Sequence, residues 1–329
     1  MIALVTMAAG AALLAGFVWL ERRIAAAGTR SPLIDLPLFR SAGFRWGTIL
    51  VTLVTFAMFG LLFAMPQYFQ DIRGADALGS GVRLLPLVGG MLVGMVGGTR
   101  VQSPRKGPGG QLRAPLAGAR PVVAVGYFIM AAAMVLGALT TLSSSTGYSE
   151  AWVAIAGLGL GMAMPSAMNV ALSELSAERS GSGSALISAM RQVGGTIGVA
   201  ILGTLISNGY SRGLNLTGLP AAAASAARRS VAGGVTVAEK LGSAPLLDNV
   251  RTAFVHGMDT MLWTCGGIAL VAGLLAVAFL PRRAAEPTGQ PSAELLAAPV
   301  GADLPDGAVR QTSAPRLAGP ASDQAESTV

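Results

Sequence analysis

Residues 1–23 read MIALVTMAAGAALLAGFVWLERR, twenty positions without a charge followed by Glu21, Arg22 and Arg23. A helix rises 1.5 Å per residue, so the uncharged run covers about 30 Å, the hydrocarbon thickness of a bilayer. A secretory leader carries its positive charges before the apolar run, and here they follow it. The stretch reads as a complete membrane span with no leader ahead of it.

The rest of the chain has the same character. With 52% hydrophobic and 12% charged residues it lies far from the balance of a soluble domain, and it is expected to be an all-α integral membrane protein in contact with lipid. Apolar blocks between charged loops predict about seven transmembrane helices, at 1–20, 45–66, 78–99, 119–142, 150–173, 183–208 and 255–281. The single Cys265 and single His256 exclude a disulfide framework and a Cys/His metal cluster, and no cofactor or metal is expected. The net charge of +7 is not a nucleic-acid signal, because the basic residues flank apolar blocks instead of forming a patch interleaved with aromatics.

Those basic residues predict orientation. Segment 21–44 holds Arg22, Arg23, Arg30 and Arg40, and segment 100–120 holds Arg100, Arg105, Lys106, Arg113 and Arg120, whereas 143–149 has none and 67–77 has only Arg73. The first two are read as cytoplasmic, which puts the amino terminus outside and the carboxy terminus inside a multi-pass protein of the plasma membrane. Segment 209–254 becomes a long external loop, against its Arg212, Arg228, Arg229, Lys240 and Arg251; long loops obey the charge rule weakly. Within 21–44, SPLIDLPLFRSAGF (31–44) is too short to span and reads as an amphipathic piece at the inner surface. The tail 282–329, rich in Ala, Pro, Gly and Ser, is expected to be disordered.

The six helices from 45 to 281 fall into two triplets of matching organisation: a short loop joins the first two helices, the second is Gly-rich with an arginine in its first half (Arg83, Arg191), and a long loop leads to the third. Three is odd, so the second triplet enters the membrane from the opposite face, giving two inverted repeats of the kind that build secondary transporters. Gly90, Gly94 and Gly98 fall four apart, as do Gly194 and Gly198; such faces serve tight helix packing or a sliding, gating surface. Gly157, Gly161, Pro165, Asn169 and Ser173 also repeat every four residues, with Met162, Met164 and Met168 around them. An amide inside a bilayer needs a partner or a water cavity, and methionine suits a cavity for varied apolar ligands; plain lipid or core packing is the alternative. Thr48, Thr52, Thr55 and Phe59 mark a mildly polar face ending at Gln67 and Gln70, and either face is a candidate substrate path.

Four stretches in order, SPLIDLPLFR (31–40), GLLFAMPQYFQDIRGADALGSGVRLLPL (60–87), GLGLGMAMPSAMNVALSELSAERSGSGSALISAMRQVGGTIGVAILGTLI (157–206) and AFVHGMDTMLW (253–263), resemble the drug:proton antiporters of the major facilitator superfamily, in particular the fourteen-span multidrug efflux type. The resemblance covers most of residues 1–281. It implies two six-helix bundles rocking about a central cavity, with two linking spans between them. Helix 1–20 is similar to the second linking span and 45–281 to the carboxy-terminal bundle, so the chain resembles half a transporter whose amino-terminal half is missing or separate. The loop GGTRVQSPRKGPGG (97–110) keeps the glycines and basic residues of the family's gate motif (Gly97, Gly98, Arg100, Arg105, Lys106) and lacks its acid. The Gly157, Gly161 and Pro165 strip resembles the family's glycine-proline helix motif in a mirrored, degenerate form.

Proton coupling needs a buried carboxylate, and no Asp or Glu falls in the middle of a predicted span. Asp259, three residues after His256, reads as an acid at the outer start of the last helix or as half of a proton-sharing pair. Arg83 and Arg191 either snorkel to the interface or bind carbonyls or an acid on a neighbouring helix. The function expected is export of hydrophobic small molecules, cationic ones among them, by proton-coupled alternating access, not enzymatic catalysis; the alternative is a truncated or non-transporting membrane protein packed against a separate partner.

Overall fold

The computed structural model describes nine positions between Val5 and Arg23, all helical, and residues 36–106, 112–113, 117–176 and 180–281. The rest of the expected helix 1–20, most of segment 21–44 and the whole of the tail 282–329 lie outside the described residues. Six described helices are long and apolar enough to cross a membrane. They are α1 (Ala42–Gln67), prolonged by a π-helical turn over Tyr68–Ile72, α2 (Ala77–Gln102), α3 (Ala119–Ala138), α4 (Thr146–Ser173), α5 (Ser180–Gly213) and, after two short helices, α8 (Ala244–Phe279).

Local chemistry sets the helix ends. Ser41, Asp76, Ser145 and Ser243 are N-caps whose side chains accept from the backbone N–H three residues on, satisfying one of the orphan donors of a first turn. Pro66 lacks an N–H, and the ladder widens into the π turn immediately after it. Ahead of α1, Leu36–Arg40 forms one 3-10 turn with Leu38 buried, so part of the amphipathic segment packs on the bundle. Ser41 also donates to Glu174 at the end of α4, 2.6 Å away. Ser41→Ala removes the cap and this tie, and a loss of about 1–2 kcal/mol is expected, read as a lower Tm in detergent.

Segment 209–254 differs from the expected loop. It contains α6 (Ala221–Arg229), α7 (Val231–Lys240) and the first turns of α8. Alanine-rich AAAASAARR favours helix, Ser230 caps α7, and Gly218 and Gly242 take positive φ at the turns. In the segment 100–120, Arg105–Lys106 pairs antiparallel with Leu112–Arg113.

The packing order is that of two interlocked repeats. The second helix of each triplet lies on the first helix of the other, α2 on α4 and α5 on α1; the third helices do likewise, α3 on α4 and α8 on α1. The pairs α1/α4 and α3/α8 meet across the pseudo-twofold axis. This is a bundle of two inverted three-helix repeats, with each repeat completed by its counterpart. Lipid tails are as apolar as leucine, so close backbone approach must supply cohesion that water supplies elsewhere. A Cβ on Gly90 or Gly94 of α2 would fall 2.1 or 2.2 Å from the carbonyl oxygens of Ala154 and Leu158 on α4; one on Gly157 or Gly161 of α4 would fall 2.1 or 2.0 Å from those of Leu87 and Met91 on α2. In the symmetry-related contact Gly194 and Gly198 of α5 lie against Thr52 and Phe56 on α1, and Gly60 of α1 lies against the Leu202 side chain of α5. α5 and α8 add a contact in which Gly209 meets Gly257.

Candidate functional site

α1 and α4 form the centre of the bundle, and cover on them is lopsided. α3 and α8 touch each other and pack on this pair from one side; there Tyr127 of α3 donates its hydroxyl to the Leu50 carbonyl of α1. α2 and α5 flank the pair. Among the candidate residues, Phe59 of α1 and Asn169 of α4 are exposed and Thr52, Gln67, Met164 and Pro165 half-buried, marking the open side; Thr52 and Phe59 stand at its border with α5, beside Gly194 and Gly195. Thr55 is buried with its hydroxyl returned to the Val51 carbonyl, so it does not belong to the open side. Thr52 and Gln67 are also bonded within their own helix, to the carbonyls of Thr48 and Phe63.

The glycines divide into groups. Gly90, Gly94, Gly157, Gly161 and Gly198 stand where a neighbouring backbone leaves no room for a side chain, and Gly194 where the Thr52 methyl fills the space, whereas a Cβ on Gly98 would make ordinary contacts of 3.4 Å or more with Val122 and Met162. Sequence spacing alone treats all three glycines of α2 alike, and the structure separates them.

The three intramembrane charges stand in different surroundings. Arg83 lies with its guanidinium carbon 5.9 Å from the centre of the Phe69 ring, and its Nη1 is buried with no hydrogen-bond partner. Arg191 is half-buried, with an unpartnered Nε. Asp259 differs from the helix-start reading. α8 begins at Ala244, fifteen residues earlier, because Ser243 and Pro245 start the helix well before the apolar run does; Asp259 is half-buried with one carboxylate oxygen unpartnered. A carboxylate so far from its helix end draws nothing from the helix dipole.

Several ties had no clear signal in the sequence. Gln102 of α2 donates to Ser166 on α4 (2.8 Å), and Tyr68 and Ser149 share a hydrogen bond (3.2 Å) where the π turn meets α4. Gly126 and Gly159 bring α3 onto α4. Trp46 and Phe279 stack with ring centres 4.4 Å apart, joining the first turns of α1 to the last of α8. Among the described residues no group of three His, Cys, Asp or Glu is placed to hold a metal ion.

The sequence profile of the Major Facilitator Superfamily matches residues 1–199. The chain is 33% identical over 292 residues to the tetracenomycin C resistance and export protein of Streptomyces glaucescens, covering 84% of this chain and 50% of that one. It is 27% identical over 286 residues to the multidrug resistance protein B homolog of Mycobacterium tuberculosis H37Rv, covering 84% and 48%, and 30% identical over 213 residues to the probable actinorhodin transporter of Streptomyces coelicolor, covering 62% and 34%. The chain thus spans about half the length, or less, of these curated relatives. Inverted triplets of lipid-crossing helices, glycine-lined crossings and these matches lead to one assignment: the chain is a membrane protein of the Major Facilitator Superfamily.

Proposed function

We propose that this bundle is the carboxy-terminal lobe of a drug:proton antiporter that exports hydrophobic small molecules by alternating access, with the open side of α1 and α4 toward the cargo and a second six-helix lobe across from it. The observation that carries the reading is the lopsided cover of the central pair, which leaves an aromatic ring (Phe59), an amide (Asn169), a thioether (Met164) and a kink-forming proline (Pro165) uncovered or half-covered within a bilayer-spanning bundle. Such a surface accepts apolar compounds of varied shape and supplies one polar anchor. The names of the relatives, which refer to antibiotic and multidrug export, support the cargo class. The glycine crossings of α2 on α4 and α5 on α1 give each repeat a surface on which small displacements are sterically open. In the orientation set by the basic segments, the cargo leaves from the side of the 143–149 and 209–254 connections, and the carboxy terminus is cytoplasmic.

The test is ethidium efflux from cells stripped of their own pumps that express the polypeptide carrying this bundle. Efflux is expected to stop when a protonophore collapses the proton gradient, and Asn169→Leu is expected to slow it at least about tenfold while the protein remains folded. Efflux insensitive to the protonophore ends the proton-driven reading, and an unchanged Asn169→Leu rate moves the path off this side. No efflux at all favours a non-transporting protein that packs its open side against a separate partner.

A further inference from the structure

At the end of the bundle capped by α6 and α7 lies a cavity of about 240 Å³, lined among others by Phe63 and Gln67 of α1, Ile206 and Tyr210 of α5, and Arg228 and Arg229 of α6. Its two halves differ in chemistry. Ile206 is buried and Phe63 stands 40% exposed, giving an apolar floor with a free aromatic face. The rim carries both guanidinium groups, exposed and, among the described residues, without a hydrogen-bond or ion-pair partner. The rim is also held in place: buried Tyr210 donates its hydroxyl to the Ala227 carbonyl at 2.9 Å, fixing the last turn of α6 to α5.

Basic residues in a last helical turn are favoured by the helix dipole, and that accounts for their presence on α6. It does not account for their standing over an aromatic floor, nor for a basic pair in a connection that the charge rule places on the far side from the cytoplasm. The Asp71 carboxylate acts electrostatically on Tyr210 and opposes part of this charge; two guanidiniums against one carboxylate leave the mouth net positive.

We infer that this cavity binds an anionic amphiphile, a ring body seated on Phe63 and Ile206 with its acidic group at Arg228 and Arg229, as a station at the mouth of the path; this rests on the proposed transport along α1 and α4. At about 240 Å³ the cavity is below the 300–1,000 Å³ usual for drug-sized ligands, so it takes a small ring system or the acidic end of a larger compound. Arginine forks match carboxylates, sulfonates and phosphates bidentately, and a neutral or cationic compound gains nothing from them.

The experiment uses the purified protein in phosphatidylcholine nanodiscs with two xanthene dyes of similar ring size and opposite charge, anionic fluorescein and cationic rhodamine 6G, followed by fluorescence polarisation. Saturable fluorescein binding is expected. It should weaken at least about tenfold in the Arg228→Ala/Arg229→Ala double variant and in Phe63→Ala, and recover to within about threefold of wild type when both arginines are replaced by lysine. Rhodamine 6G binding should not weaken in the double-alanine variant. No saturable fluorescein binding, or equal affinity in the double-alanine variant, overturns the inference. Nanodiscs containing phosphatidylglycerol separate the sources of the anion: competition with fluorescein assigns the site to a lipid phosphate, and its absence assigns it to a soluble acid. Ethidium efflux is scored in parallel, so a failed anion site with intact efflux is distinguished from failure of the transport reading itself.

Discussion

Gly161→Leu is expected to abolish the folded bundle. A Cβ at this position would fall 2.0 Å from the Met91 carbonyl oxygen and 2.8 Å from its carbon, and the obstacle is backbone, which cannot rotate aside as a side chain can. One turn away Gly157 meets Leu87 in the same way, and from the opposite helix Gly90 and Gly94 meet Ala154 and Leu158, so α2 cannot yield at one point without losing the whole crossing. Overpacking of a core typically costs about 1–3 kcal/mol, and a backbone clash at a two-sided crossing falls at or above the top of that range. The measurement is Tm by size-exclusion chromatography after heating in detergent. Gly97→Ala is the control: a Cβ there meets nothing within 4 Å, and alanine is the better helix former by roughly 0.5–1 kcal/mol, so its Tm should hold or rise. A Gly161→Leu protein that melts within about 2 °C of wild type would show that the helices are not in backbone contact.

The same residues show what a sequence discloses about such a fold. Helix positions are legible because a bilayer imposes both length and apolarity, and the six spans from 45 to 281 agree with the structure in number and to within a few residues at many of their ends. Repeat organisation is legible for a related reason: two triplets built for one packing scheme keep a short first loop, a long second one and glycine-rich second helices. Helix extensions beyond the lipid are not, since the turns of α8 from Ala244 onward contain Asp248 and Arg251, and hydropathy stops where those charges begin. That is why Asp259 reads as a helix-start acid in the sequence and lies well inside α8 in the structure. Spacing also cannot say which partner a glycine meets. Gly90, Gly94 and Gly98 share one period, yet only the first two lie too close to the backbone of α4 to admit a Cβ; at Gly98 the α4 backbone is at ordinary contact distance. On the candidate path, Thr55 keeps the period of Thr52 and Phe59 but is buried, and its hydroxyl, satisfied within its own turn, makes that burial tolerable.

Trp152→Ala is expected to cost about 3–5 kcal/mol, the range for truncating a large aromatic in a core. Trp152 is among the largest fully buried side chains of the bundle, at 1% exposure, and it stands where three helices meet. A Cβ on Gly137 of α3 would lie 3.1 Å from its ring and 3.1 Å from Leu262 of α8, so the indole of α4 fills the junction of the two third helices with a central one. Its Nε1, however, is buried with no hydrogen-bond partner. Trp152→Phe therefore breaks no hydrogen bond and removes an orphan donor whose burial costs about 1–3 kcal/mol, which offsets much of the lost ring area. The expected order of Tm is wild type close to Trp152→Phe and both well above Trp152→Ala. A Trp152→Phe variant as unstable as Trp152→Ala would mean that the indole N–H has a partner after all. Because the indole packs on the covered side of α4, away from Asn169, Trp152→Phe should also leave the KM for ethidium unchanged. A rise in KM would place the cargo path at the α3–α4–α8 junction instead of on the open side of α1 and α4.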